Sequence, residues 1–204
     1  MKSTVLLAAV AVAALSLAAC QKKAEAPVAA DAGTSKAAVN AAQDATGAAV
    51  GAVSAATTAA TNSTDGFVTG LVTGGLYEVQ AGQIAGKKAQ SPGVKAFAKM
   101  MVTDHTAMSK AAEPAVKASG KPVPTELDER RKGMIDNLNA AKPADFDAAY
   151  LSQQEAAHQE TLTLLKGYAD GGDDAGLKAV ATGAIPKVQA HLDKIHALQA
   201  AAPK

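Results

Sequence analysis

The sequence predicts an all-α domain, an up-and-down four-helix bundle with one extra short helix. From Phe67 onward, apolar residues recur every three or four positions, as in amphipathic helices, and no alternating strand pattern competes. Breaks rich in Pro and Gly divide this region into four long segments and a short one, and brief connections favour antiparallel neighbours. The three Phe and three Tyr residues all lie after position 66, so the bundle is assigned to residues 67–200.

The amino terminus predicts an export signal over residues 1–19. Lys2 gives a charged start, and the apolar run Val5–Leu17 is too short to span a membrane as a stable helix. The following Leu-Ala-Ala-Cys segment ends at Cys20 and resembles the lipobox of bacterial lipoproteins, in which the cysteine is lipidated. Gln21 follows this cysteine, and in those lipoproteins a residue other than Asp at that position is typical of release to the outer membrane. We therefore expect an outer membrane lipoprotein that contacts the membrane through lipidated Cys20 and places its bundle in the periplasm.

Residues 20–66 predict a flexible tether. They consist mainly of Ala, Thr, Gly and Ser, and without large side chains they bury too little apolar area to offset the entropy of ordering. Ala37–Ala60 as a weak helix is the alternative, because alanine favours helices. Cys20 is the only cysteine, so no disulfide within the chain stabilises either region.

The first two long helices are separated by a strong break. Helix one is expected from Phe67 to about Gln90, where the Ser-Pro-Gly segment 91–93 ends it. Helix two then extends to Ala118 at the latest. Pro114 lies within it and is expected to kink it or end it early, because proline has no N–H to donate.

Three further helices follow. Thr125 and Asp128 resemble a capping box that begins a short, highly charged helix, and Asp145 is placed to cap the fourth helix, which ends near Tyr168. The last helix follows a Gly-Gly-Asp-Asp turn and extends to about residue 198. Pro186 is expected to kink or split it.

Charge and motifs exclude several classes of function. With 20 Lys and Arg against 19 Asp and Glu, the net charge of +1 provides no field for nucleic acid, which is not expected as a partner. The chain has no Gly-x-Ser-x-Gly elbow and no glycine-rich phosphate loop after a strand. A hydrolase or nucleotide enzyme is disfavoured, and an enzyme of any kind is less favoured than a binding protein.

Ionisable residues lie on the inward faces of the first two long helices. Glu78 and His105 stand at similar numbers of positions before and after Pro92. Because a helix rises about 1.5 Å per residue, both lie about 20 Å from the bend of this hairpin. Glu78 and His105 are therefore expected to face each other, and Asp104 adjoins them.

The second hairpin also carries inward histidines, but their levels match less well. His158 and His191 are expected to be offset by roughly 9 Å along the helix axes, and Glu155 lies closer in level to His191. Glu155 and His158 form a Glu-x-x-His motif, which di-iron bundles use twice. Only one such motif occurs, so a full di-iron centre with oxidase activity is not expected.

Imidazole and carboxylate groups together suit a single Zn, Cu or Fe ion. The candidate ligands are Glu78, Asp104, His105, Glu155, His158 and His191. The alternative is that each histidine is a buried polar residue hydrogen-bonded to a carboxylate. Met100, Met101 and Met108 are more typical of core filling than of copper binding.

Several motifs together resemble a known family. They are Tyr77–Val79, Val94–His105, Phe146–Tyr150, His158, Ile185–Pro186 and His191–Leu192. In order and spacing they resemble a family of bacterial envelope proteins without assigned activity, often labelled as outer membrane proteins and expected to be ferritin-like. The resemblance spans about residues 67–198 and implies that the family shares Glu78, Asp104, His105, His158 and His191. It implies no reaction, and the missing second Glu-x-x-His argues against ferritin chemistry.

Two hypotheses follow from the sequence. In the first, a tethered ferritin-like bundle binds one metal ion through inward histidines and carboxylates. In the second, the bundle is a structural module, or binds an envelope protein partner, and its inward polar residues form a hydrogen-bonded network that fixes helix register. The sequence does not decide the oligomeric state.

Overall fold

The computed structural model describes residues 63–201, which form five helices and no strand. The helices are α1 (Thr64–Lys88), α2 (Pro92–Ala118), α3 (Glu129–Ala140), α4 (Pro143–Gly171) and α5 (Ala175–Ala200). The all-α prediction is confirmed for this part of the chain. The predicted signal peptide (1–19), Cys20 and nearly all of the tether lie outside the described residues. Within residues 63–201, no helix has the length and apolarity needed to cross a membrane.

Serine caps begin the first two helices. The Ser63 side chain accepts a hydrogen bond from the N–H of Gly66, so α1 begins a few residues before the apolar pattern does. Ser91 caps α2 in the same way by accepting from Gly93, and Pro92 occupies the first turn, where its missing N–H costs nothing. The Ser-Pro-Gly segment therefore both ends the first helix and begins the second.

The starts of α3 and α4 differ from the predictions. Asp128, rather than Thr125, caps α3 by accepting from the N–H of Arg131. Asp145 does not cap α4 but lies in its first turn, because Pro143 already begins the helix. Proline fixes a backbone angle suited to the first helical position, which moves the helix start ahead of the acidic residue.

Neither internal proline interrupts its helix. Pro114 lies inside α2, which continues to Ala118, and Pro186 lies inside an unbroken α5. The predictions of an early end and of a split were therefore wrong. Val116 and Val188 are buried just beyond the two prolines, and their packing holds these turns against the bundle despite a cost of about 3 kcal/mol per internal proline.

Contacts at both ends of the bundle give the helix directions. At one end the Thr64 hydroxyl lies 2.7 Å from that of Tyr168, and at the other the N–H groups of Gln90 and Ser91 donate to Asp147 at 2.9 and 2.7 Å. Helices α1 and α4 are therefore antiparallel. Helices α2 and α5 are antiparallel too, because Gly93 lies against Leu198 near one end and Gly176 against Ala115 near the other.

The order of the helices is up, down, down, up, with one long crossover. Helix α2 ends at the opposite end of the bundle from the start of α4, so residues 119–142 run back along its length, with α3 packed on α1 and α4. Lys88 fixes the end of α3 by donating to the backbone carbonyls of Leu138 and Asn139 at 2.9 and 2.6 Å. The predicted strict up-and-down order is thus wrong for the middle connection, although every packed pair of long helices is antiparallel.

The core has aromatic layers near both ends and a polar layer between them. Phe67 stacks on Tyr168 with ring centroids 4.0 Å apart, and Phe146 and Phe97 pack against Tyr150 toward the other end. All six aromatic residues are buried. The aromatic layers therefore enclose the polar layer in the middle of the bundle.

Candidate metal centre

Each of the four long helices contributes one buried ionisable side chain at the middle level of the bundle. Glu78, His105, His158 and His191 are 2%, 6%, 1% and 2% exposed. The helical periodicity brings them inward from α1, α2, α4 and α5 respectively. Burying such groups is costly unless they are hydrogen-bonded, paired or bound to an ion, so their environment needs a full account.

The three histidines converge on one point. Their ring centroids are 5.4–5.6 Å apart, and one nitrogen from each ring lies within 4.8 Å of the other two. Nε2 of His158 and Nδ1 of His191 are 3.4 Å apart. Two nitrogens about 2.0–2.1 Å from a tetrahedral ion would be about 3.4 Å apart. The spacing therefore fits two ligands of one metal ion.

The hydrogen bonds of the outer nitrogens assign the tautomers. Nδ1 of His158 lies 2.8 Å from the Gln154 carbonyl oxygen, which only accepts, so Nδ1 donates and Nε2 keeps a lone pair. Nε2 of His191 lies 2.9 Å from Oδ2 of Asp104. Partial burial raises the pKa of Asp104, but the hydrogen bond from His191 and the charge of Lys187 lower it by more. Asp104 is therefore an ionised acceptor. Nδ1 of His191 also keeps a lone pair, and two lone pairs face each other at 3.4 Å.

The environment keeps these imidazoles neutral. Burial, with the nearby imidazoles, lowers the pKa of His105 to about 3, and burial lowers the pKa of His158 to about 4. Burial also lowers the pKa of His191, although its hydrogen bond to Asp104 opposes this. A proton shared between the facing nitrogens is therefore disfavoured near pH 7. Neutral imidazole is the form that binds metal ions.

Glu78 lies beside this cluster. Its Oε1 is 3.6 Å from Nδ1 of His158, whereas the hairpin spacing predicted that it would face His105. Burial raises the pKa of Glu78 to about 8, against the opposing effects of the nearby Gln154 amide and Arg131. A cation next to this carboxyl group would favour its charged form and lower that pKa.

Buried polar atoms without partners are concentrated here. Within residues 63–201 these are Oε2 of Glu78, Nε2 of His105, the Tyr150 hydroxyl and both amide atoms of Gln154. Each unpaired buried group costs about 1–3 kcal/mol, so their proximity favours a bound ion or small polar ligand at this level. The sequence-based predictions missed Gln154 and Tyr150, although Gln154 lies one helical turn before His158 and thus on the same face.

Of the six predicted ligands, Glu155 alone has no described contact with any of the other five. Its carboxylate accepts from Nε2 of Gln199 at 2.8 Å and lies 3.4 Å from Nε2 of His196, on a partly exposed side. A spacing of three residues turns Glu155 about 60° away from His158, and the inward face of α4 follows the four-residue spacing from Gln154 instead. The structure therefore separates Glu155 from the other candidate ligands.

Asp104 and His191 also depart from the predicted geometry. Asp104 lies outside the three histidines, where its Oδ2 contacts His191 and, at 3.5 Å, Nζ of Lys187. The predicted offset of roughly 9 Å between His158 and His191 is wrong, because α4 extends beyond Tyr168 to Gly171 and the imidazole side chains span the remainder.

Comparisons with other proteins place the chain in a family. Searches of curated proteins and of solved structures found no match. The sequence profile of one family matches residues 48–198, well over half of the chain, and begins inside the predicted tether. This agrees with the predicted resemblance to a family without assigned activity. The chain belongs to the family described as domain of unknown function DUF4142.

Proposed function

We propose that the bundle binds a single transition-metal ion between its four long helices. His105, His158 and His191 are the nitrogen ligands, and Glu78 is the carboxylate that completes the set. The observation that carries this proposal is the pair of lone pairs facing each other at 3.4 Å between His158 and His191. Two neutral imidazoles in these tautomers cannot hydrogen-bond to each other, whereas a cation between them satisfies both.

The surroundings of the histidines support this function. Metal-binding histidines almost always donate their other N–H to a carboxylate or a backbone carbonyl. His191 donates to Asp104, and His158 donates to the Gln154 carbonyl. The outer hydrogen bonds thus orient both rings toward the common centre.

Three imidazoles and one carboxylate suit zinc in a four-coordinate site, and they also accept Cu and Fe. Met101 is fully buried in the apolar core, which fits core filling better than copper binding. A ferritin-like bundle is the fold proposed for this site, and the single long crossover between α2 and α4 supports it. The chain's one Glu-x-x-His motif does not supply a di-iron centre.

The site is proposed to reside in the bacterial envelope. The segment ending at Cys20 supports an outer membrane lipoprotein whose bundle faces the periplasm. Replacing Cys20 with Ser is expected to move the exported protein from the membrane fraction to the soluble fraction. Retention in the membrane fraction would contradict the acyl anchor without bearing on the metal site.

The metal-binding proposal is tested with the full chain carrying Cys20→Ser, which removes the only thiol and the acylation site. We expect one zinc ion per chain by elemental analysis. Zinc at about a hundred times its Kd should raise the melting temperature by roughly 10 °C, and a chelator should reverse the rise.

Two histidine variants distinguish a proposed ligand from a histidine outside the cluster. His105→Gln should abolish the zinc-dependent melting shift, whereas His196→Gln should keep it, because His196 is half-exposed and pairs with Glu155 outside the cluster. A chain that takes up no metal, and whose melting does not respond to Zn, Cu or Fe, would instead favour a structural or partner-binding bundle. The Asp104–His191 and Glu78–His158 pairs would then serve helix register alone.

A further inference from the structure

A cavity of about 390 Å³ borders the histidine cluster. It is lined by residues of all four long helices, and His105 is the cluster member that contributes to its wall. This volume falls in the range of about 300–1,000 Å³ typical of small-molecule sites. The cavity therefore joins the proposed metal centre to a space large enough for a ligand.

The walls of the cavity are mainly apolar. On the α1 side, Gly70, Gly74 and Gly75 add no side chains beside three apolar ones, and Val180 and Ala184 of α5 also line the space. Apolar walls gain free energy by excluding water and contacting a hydrocarbon group. The body of a fitting ligand is accordingly apolar.

Polar groups occur at particular places on this wall. Nε2 of His105 is buried and has no hydrogen-bond partner among the described residues. Lys110 and Glu113 also line the cavity. Glu113 is paired with exposed Lys117 at 2.5 Å. The three side chains together therefore leave one net positive charge near the mouth of the cavity. This charge favours the entry of an anion over the entry of a cation.

The charge of the metal centre points the same way. A divalent ion held by three neutral imidazoles and the Glu78 carboxylate leaves one positive charge, because the nearby Asp104 carboxylate is already paired with Lys187. An uncompensated buried charge is costly, and one monoanionic group would neutralise it. A ligand with a single negative head group and an apolar body satisfies both the ion and the cavity.

We propose that this cavity binds a medium-chain aliphatic monocarboxylate, whose apolar chain fills the space between α1, α2 and α5 and whose head group reaches the metal ion past His105. This inference rests on the proposed metal-binding function, since the ion supplies the charge that the carboxylate neutralises. It assigns to the ion a fifth, exchangeable position beside the three imidazoles and Glu78, since zinc in catalytic sites can expand from four to five ligands.

The test uses the full chain carrying Cys20→Ser and loaded with Co²⁺, whose visible spectrum reports its ligands. Titration with octanoate is expected to change that spectrum and to saturate. Each methylene removed from water strengthens binding about fourfold, so octanoate should bind on the order of 100-fold more tightly than acetate if half or more of its additional methylenes are buried.

A filled cavity provides the matched comparison. Val180→Phe introduces a ring into the cavity and should abolish the octanoate response while leaving Co²⁺ uptake and its spectrum unchanged. Ala179→Phe, at an exposed neighbour on the same helix, should behave like the parent chain. If Val180→Phe fails to fold, Ala184→Phe replaces it, because Ala184 lines the same cavity.

The outcomes separate the two proposals. Normal Co²⁺ uptake with no octanoate response in the parent chain would overturn the carboxylate site and leave the metal site standing. Equal affinity for octanoate and acetate, or an unchanged octanoate response in both cavity-filling variants, would also overturn it. A chain that takes up no Co²⁺ would overturn both proposals.

Discussion

The Asp104–His191 hydrogen bond gives the metal hypothesis a test outside the ligands themselves. Asp104 accepts the outer N–H of His191 at 2.9 Å and thereby directs the Nδ1 lone pair inward. Replacing Asp104 with Ala should weaken zinc binding by about 10–100-fold, as loss of such an outer partner commonly does. Competition with a chromophoric chelator measures this change.

Asp193→Ala is the control for that variant, because Asp193 is an exposed carboxylate on α5, the helix that carries His191, and accepts only from Gln189 in the described contacts. It should leave zinc affinity unchanged. Equal affinities for Asp104→Ala and Asp193→Ala would contradict the orienting role of Asp104.

The buried imidazoles predict how the metal-free protein responds to acid. His105 and His158 have folded-state pKa values of about 3 and about 4, whereas an unfolded histidine titrates near about 6.5. Below that pH the unfolded chain binds more protons, so stability falls by up to about 1.4 kcal/mol per pH unit for each histidine. Glu78 opposes this, because its raised pKa of about 8 adds stability that is fully present below about pH 4.5 and lost as the pH rises through 8.

Two imidazoles outweigh one carboxyl group, so the free energy of unfolding should decrease from pH 6.5 to pH 4.5. Urea denaturation in the presence of a chelator measures the decrease, and His105→Gln should make its slope shallower. A free energy of unfolding that stays constant or increases over this range would show that the histidines are not buried in neutral form.

For individual residues, the sequence predicted which four ionisable side chains lie at the centre of the bundle. It was less successful with the residues next to them on α4. The inward positions of Glu78, His105, His158 and His191 followed from helical periodicity, because a helix face is a local property. Glu155 was included through a motif that ignored which face of α4 points inward. Gln154 was missed because an amide is not a usual metal ligand, although its backbone carbonyl orients His158.

Among the helices, α1 and α2 approach each other closely at Gly82. A Cβ at Gly82 would lie 2.8 Å from Cγ2 of Val102 and 3.0 Å from the backbone oxygen of Ala98, whereas a Cβ at Gly86 would meet nothing within 4 Å. Gly82→Ala should therefore destabilise the fold by about 1–3 kcal/mol, because it overpacks this contact.

Gly86→Ala is the matched change on the same helix and should stabilise the fold by up to about 1 kcal/mol through helix propensity. Thermal or urea denaturation distinguishes the two. If Gly82→Ala were as stable as Gly86→Ala, the two helices would not pack as closely as the structure places them.

The boundary between the first two helices was predictable from local residues, whereas the caps predicted for α3 and α4 were wrong. The Ser-Pro-Gly segment divided α1 from α2 as expected, because a cap and a proline act within one turn. The continuation of α5 through Pro186 was not predictable, because it depends on tertiary packing by residues such as Val188 and Ile195. The local sequence thus predicted where the helices lie better than it predicted whether a helix continues through an internal proline.

Across the whole molecule, the bundle class was predictable and the path of the chain was not. The periodic segments indicated an all-α bundle with one short helix. The crossover of residues 119–142 depends on distant pairs, such as Lys88 with the Leu138 carbonyl and Arg131 with Glu160. Contacts between residues far apart in sequence leave no periodic pattern, so the up-and-down order could not be corrected from the sequence alone.

The proposed function of the bundle depends on the polar layer in its middle. Aromatic layers near both ends bury the middle of the bundle, where one residue from each long helix faces the others. Because the proposed ligands come from four helices, the proposed metal binding requires the folded bundle, and by mass action the ion should stabilise the whole domain rather than one hairpin. The central claim is therefore about which atoms hold the ion.

X-ray absorption at the zinc edge, recorded on the zinc-loaded full chain with Cys20→Ser, tests that claim most directly. We predict a four-coordinate site with about three imidazole nitrogens at about 2.0–2.1 Å and one oxygen ligand, and a weaker or absent imidazole signal in His158→Gln. A shell of oxygen atoms alone without imidazole scattering, or a spectrum that His158→Gln leaves unchanged, would contradict the proposed centre.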